Sequence, residues 1–193
     1  MGRIVGLNQD EATTTIFYNE GSNFEDLRFP AQGINPAGST APATPDTDDG
    51  CLLFDKTTAN IISGVAQMPH SKKLGSPICP HIHWQGTTTP SGANTGVYWR
   101  FEHQKADING SFSGTWVASN KIATVNTDPQ KHQLTDFDCI DMSGEAGVSS
   151  IVKWRLTRVA NDAADNYGYN AKLIEVDFHY EIDSVGSGKE YSK

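Results

Sequence analysis

Two histidines separated by one residue, His81 and His83, stand in the run Gly75-Ser-Pro-Ile-Cys-Pro-His-Ile-His-Trp84. On a β-strand, side chains alternate with period two, so both imidazoles point to the same face. Such a pair suits half of a zinc, iron or manganese site. It equally suits a hydrogen-bonded polar pair on a β-sheet. The spacing from Gly75 through His81 to His83 matches the opening of the first cupin motif, whose metal set adds a downstream Glu and a later His. Here the positions for that Glu are Gly86, Thr87, Thr88 and Thr89, and a second motif has no counterpart. The expectation is therefore a structural pair and no cofactor, with a cupin-like metalloenzyme using His81 and His83 as the alternative.

Other chemistry finds less support. Asp46-Thr-Asp-Asp-Gly50 resembles a calcium loop, but its glycine comes one residue early and Thr57 holds the place of the closing Glu. An Asp-Gly turn is the simpler reading. There is no G-x-S-x-G elbow, H-E-x-x-H or P-loop. Glu102, Asp136, Asp138, Glu175 and Asp177 could pair as glycosidase carboxylates, yet on alternating strands they read as a solvated face. The expectation is a protein that is not an enzyme. Of the four tryptophans, Trp99 and Trp154 lie in alternating apolar strands and read as core. Trp116, in a Gly/Ser-rich stretch, is the candidate for a sugar-stacking contact in a glycan-binding receptor module.

The elements that would position these residues are strands. Short alternating runs at 51–54, 60–68, 80–85, 96–105, 133–141, 148–159 and 172–182 are separated by turn clusters, and 113–124 reads as a hairpin. About eight strands without an amphipathic helix predict an all-β, antiparallel, jelly-roll-like sandwich. The predicted boundaries are an extended N-terminal arm over 1–45, a β domain over 46–185 and a polar tail over 186–193. The arm is rich in Pro, Gly and small residues, which cannot bury enough apolar surface to fold alone. Its anchors Phe24, Leu27 and Phe29, with Arg28 among them, predict docking on a neighbouring subunit.

Composition narrows the partners. Lys+Arg number 15 against 23 Asp+Glu, a net charge of -8, which argues against a nucleic-acid surface. No apolar run is long enough to span a membrane. The first ten residues lack the apolar core of a signal peptide, so synthesis in a cytoplasm without classical export is expected. The three cysteines, Cys51, Cys79 and Cys139, have no paired spacing and read as free thiols.

Six segments, in order, resemble a family of tailed-bacteriophage virion proteins. They are Asp26-Leu-Arg-Phe-Pro30, Asp49-Gly-Cys-Leu-Leu-Phe54, Gln67-Met-Pro-His70, Pro80-His-Ile-His-Trp84, Trp99-Arg-Phe-Glu102 and Glu175-Val-Asp-Phe-His-Tyr180. The resemblance runs from about residue 26 to residue 186 of the chain. It implies a structural protein of the virion, assembled in the host cytoplasm: a capsid decoration or accessory protein, or a tail, collar or fibre-attachment component. It also implies major capsid or tail proteins as partners. Repeated structural parts favour closed homo-oligomers, and analogy with viral jelly rolls favours a trimer.

Overall fold

The computed structural model describes residues 22–34, 43–112, 114–145 and 147–193. Among the described residues ten strands run in chain order: β1 (Asn23–Pro30), β2 (Thr44–Pro45), β3 (Leu52–Phe54), β4 (Ile61–Gln67), β5 (Ile78–Gly86), β6 (Gly96–Ala106), β7 (Val117–Thr124), β8 (Gln133–Asp136), β9 (Ile151–Arg158) and β10 (Ala171–Ile182). Every pairing is antiparallel. One sheet has the order β2-β3-β10-β5-β8, with β1 also on β10; the other is β4-β9-β6-β7. Strands β3 to β10 thus pass between the sheets, with β6 and β7 as a neighbouring pair in the second sheet, in the order of two Greek keys, the jelly-roll arrangement.

Alternation explains the core. Ile78, Ile82 and Trp84 of β5, Val97, Trp99 and Phe101 of β6, Val152, Trp154 and Leu156 of β9, and Val176 and Phe178 of β10 are all fully buried between the sheets. Trp84 donates its indole N–H to Thr135 Oγ1 at 2.9 Å, so its polar atom is satisfied inside. Gly64 of β4 is required by this packing. A Cβ there would stand 2.4 Å from the Trp154 ring.

Arg158, at the end of β9, is fully buried and uses every donor. It forms two bonds to the Asp165 carboxylate and three to the carbonyls of Phe54, Tyr167 and Tyr169. This guanidinium joins the β9 end to β3 and to the 165–170 loop. The Asp46–Gly50 segment is the expected turn: Gly50 sits at φ +73°, its N–H reaches Asp46 O, and Lys172 pairs with Asp46 and Asp49.

The predicted arm needs correction. Asn23–Pro30 is a strand of the chain's own sheet, paired with β10 from Asn23↔Ile182 to Pro30↔Glu175. Leu27 and Phe29 pack against the chain's own core, and Arg28 pairs with Glu175. Phe24 points outward and stacks on His179 at 4.8 Å. The domain therefore begins before residue 46, and the anchors named for intermolecular docking are used within the chain. Of the rest of the predicted arm, the short turn after β1 and Ala43 to Pro45 are described, and residues 1–21 and 35–42 lie outside the described residues.

Four further expectations change. The 113–124 stretch is not a hairpin by itself: Val117–Thr124 is one strand that pairs with β6. The 133–141 run is ladder only to Asp136. In the 172–182 run, alternation puts Ile174 on the face of Val176 and Phe178, but a register shift between Leu173 and Glu175 is a bulge that puts Leu173 in the core instead. Finally, Cys79 and Cys139 form a disulfide, leaving Cys51 as the free, buried thiol. Their segments lie side by side, with Ile78 bridged to Ile140, which sequence spacing does not reveal. The 186–193 tail returns to the domain, where Lys193 Nζ bonds the Ser71 and Lys72 carbonyls.

Candidate functional site

The outer face of the larger sheet gathers polar side chains from four adjacent strands. On β5, Ile82 and Trp84 face the core, so His81 and His83 face out. On β10, Val176 and Phe178 face in, so Glu175, Asp177 and His179 face out. Register then brings them together: Asp177 lies opposite His81 and Glu175 opposite His83. Across β1, Arg28 is opposite Asp177 and Asp26 opposite His179. Asp136 of β8 completes the row beside His81. Four of the chain's six histidines, those at 81, 83, 132 and 179, are linked here by ring contacts.

Asp177 is at the centre. Its residue exposure is 3 %. Its Oδ2 stands 3.6 Å from His81 Nε2 and 3.2 Å from His83 Nε2, and its Oδ1 has no hydrogen-bond partner among the described residues. Glu175, 6 % exposed, takes Arg28 on Oε2 at 2.6 Å, and its Oε1 is likewise unpartnered. On the other side of His83, Nδ1 meets His132 Nε2 at 2.6 Å. His179 Nδ1 meets Asp26 Oδ1 at 2.8 Å. The Cys79–Cys139 disulfide lies next to this band, since Cys79 is paired with His179 in the ladder.

The electrostatics follow from these contacts. The hydrogen bond to Asp177 raises the His81 pKa above the ordinary imidazole value, against the opposing effect of burial. Glu175 raises Arg28 further by hydrogen bond and charge. His103, on the other sheet, moves the opposite way because burial disfavours its charged form. A pocket of about 450 Å³ opens over the band, lined by Asp26, Arg28, His83, His132, Ile174, Glu175 and Asp177. The atoms of His81, His83 and Asp177 that can ligate all lie within 4.8 Å of one another. Two imidazoles and a carboxylate at this spacing are a donor set for a transition metal.

The sequence singled out His81 and His83 and the structure brings them together, as period two requires. It missed Asp177 and Glu175, which read as solvated carboxylates. Outward parity was a valid signal for both, but only the β5–β10 register shows that Asp177 faces the histidines. Trp116 is elsewhere, at the outer face of the second sheet. It is half-buried, and the Arg155 guanidinium covers its ring at 4.3 Å. Arg155 is itself held by Glu102 through two bonds of 2.7 Å. A shallow groove of about 350 Å³ runs between Trp116 and β4. Among the described carboxylates, Glu102 and Glu175 are engaged by arginines and Asp138 by Lys121.

No protein-family model matches the chain, and no curated protein matches it. Solved structures match it only at low similarity. An isomalto-dextranase of Arthrobacter globiformis T6 complexed with panose gives a TM-score of 0.43 at 14% identity, over 79% of this chain and 23% of that one. TmCBM27, a carbohydrate-binding module described for specific mannan recognition, gives 0.37 at 10% identity, over 82% of this chain and 98% of that one. The enzymatically active domain of bacteriophage CBA120 tailspike protein 4 gives 0.36 at 10% identity, over 83% and 19%. This chain thus spans about a quarter or less of the isomalto-dextranase and the tailspike chain.

Proposed function

We propose that the chain is a structural, non-enzymatic component of a tailed-bacteriophage particle, a capsid decoration or accessory protein ahead of a tail, collar or fibre-attachment part. One observation carries the reading. The segments that resemble the phage virion family are scattered in sequence, yet four of them lie on adjacent strands of one sheet. Asp26–Pro30 is β1, Leu52–Phe54 is β3, Pro80–Trp84 is β5 and Glu175–Tyr180 is β10. The outward side chains of β1, β5 and β10 build the polar band around Asp177. The shared residues are therefore a surface as well as a core, as suits a part that recurs in an assembly. The partners are major capsid or tail proteins and further copies of this chain, most simply in a trimer. The disulfide fits a protein that leaves a reducing cytoplasm when particles are released.

Proteomics of gradient-banded particles tests the proposal. The chain is expected to co-sediment with the major capsid protein and to resist salt washing. Recovery only in the soluble fraction of infected cells would overturn it. Light scattering of the purified chain checks self-association, with a trimeric mass expected. Glycan binding that vanishes in Trp116→Ala would instead support a receptor module.

A further inference from the structure

The band's central residues have a use that a purely structural role leaves unexplained. We propose that His81, His83 and Asp177 bind a divalent first-row transition metal of the zinc type, with His132 as the group that orients His83. Several independent features lead there. The two His–Asp separations, 3.2 and 3.6 Å, bracket the edge of about 3.4 Å expected for a tetrahedron with metal–ligand bonds of about 2.0–2.1 Å. Both imidazoles present Nε2 to the same carboxylate oxygen. Nδ1 of His83 contacts His132 Nε2 at 2.6 Å. When Nδ1 of His83 donates its proton to His132, Nε2 is left as the free lone pair, the arrangement that fixes a metal-binding imidazole.

The carboxylate supplies the second line of argument. Asp177 is nearly inaccessible and one of its oxygens is unpaired. A buried ionised oxygen without a donor is costly. Its neighbour Glu175 is in the same condition on Oε1, and Arg28 engages only Glu175 by hydrogen bond. A divalent cation among Nε2, Nε2 and Oδ2 offsets this negative charge at its centre. Donor chemistry selects the metal: two nitrogens and one oxygen suit zinc, iron(II) or manganese(II), whereas calcium and magnesium favour oxygen sets. The ligands sit mid-strand on two paired strands, next to a disulfide, so the site is held before binding. Three protein ligands would leave a coordination position for solvent, and His83 and Asp177 help to line a pocket beside the site. The sequence did not show this because the third ligand comes from β10 and not from the turn after β5.

The test uses the full chain, treated with chelator and dialysed. Calorimetric titration with zinc chloride is expected to give one zinc per chain with micromolar or tighter affinity. Cobalt(II) should give the visible absorption bands of a low-symmetry site with nitrogen and oxygen donors. Asp177→Asn and His81→Ala/His83→Ala should weaken zinc by about 100-fold or more, and His132→Ala by about 10-fold, the range seen when orienting partners are removed. Circular dichroism identifies any variant that fails to fold. His132→Ala alters a side chain outside the core and so keeps the test decisive. Absence of zinc binding by the wild-type chain at micromolar concentrations would overturn the proposal. So would unchanged affinity in a folded Asp177→Asn. The outcome is separate from the virion reading, since zinc binding to the purified chain does not depend on whether particles contain it.

Discussion

Truncating Phe29 to alanine distinguishes a strand of the domain from an arm that serves only assembly. Phe29 is half-buried, with its ring edge-on to Trp154 at 5.6 Å and to Phe178 at 5.8 Å. A fully buried Phe→Ala change costs about 3–5 kcal/mol, so a half-buried ring is worth about 1.5–2.5 kcal/mol. Leu27, packed on the same core, adds about 1 kcal/mol when truncated. Deleting residues 1–30 removes both, together with the ladder on that part of β10, and should cost more than about 3 kcal/mol. Urea unfolding followed by tryptophan fluorescence reads this directly, because Trp154 lies against the affected ring. With a slope of about 2 kcal/mol/M, Phe29→Ala should lower the midpoint by about 1 M. A deletion that leaves the midpoint unchanged while abolishing incorporation into particles would refute the intramolecular assignment and restore the docking arm.

Arg158→Met should destabilise by about 3–5 kcal/mol in the same assay, because it strands the buried Asp165 carboxylate and three carbonyls; pairing it with Asp165→Asn should recover part of that loss. In chelator-treated protein, the raised pKa of His81 contributes stability that is full below about pH 6.5 and is lost as pH rises through the folded value. His103, with a lowered pKa, has the opposite sign and loses stability as pH falls from about 6.5 through its folded value. His81→Gln and His103→Gln should therefore flatten opposite limbs of the stability–pH curve, and identical curves for both would contradict the assignment. Reduction of Cys79–Cys139, which closes a loop of sequence separation 60, should lower stability by up to about 4 kcal/mol. Under non-reducing native conditions Cys51 should resist maleimide, since burial pushes its thiol up to about 11, and labelling should appear on unfolding.

The strands of the sandwich were legible because each alternates cleanly. Val152, Trp154 and Leu156 point one way over the whole of β9, and nothing tertiary is needed to see it. β1 was not, because Phe24 is out of phase with Leu27 and Phe29. That mixture of faces reads as scattered anchors until β10 supplies the partner: Phe24 then stacks on the outer His179 while the other two face the core. The bulge at Ile174 was hidden for the same reason. It conserves alternation on paper and shifts it in space. Of the candidate site, the His81/His83 half lay within one strand and followed from period two. Asp177, Glu175 and Arg28 depend on pairing register, and the Cys79–Cys139 bond depends on two segments far apart in the chain meeting beside β5. Register between distant strands is set by the collective packing of both sheets, and no local pattern encodes it.

The central claim is that this jelly roll is a built-in part of a virus particle, and its copy number in the particle tests that claim most directly. Quantitative mass spectrometry of purified particles, combined with a cryo-electron microscopy reconstruction, should find the chain at a fixed multiple that matches a symmetry of the head or tail. Density for a two-sheet sandwich should be present at those positions. A chain that is absent, or present at a variable fraction of a copy per particle with no sandwich density, would contradict the account.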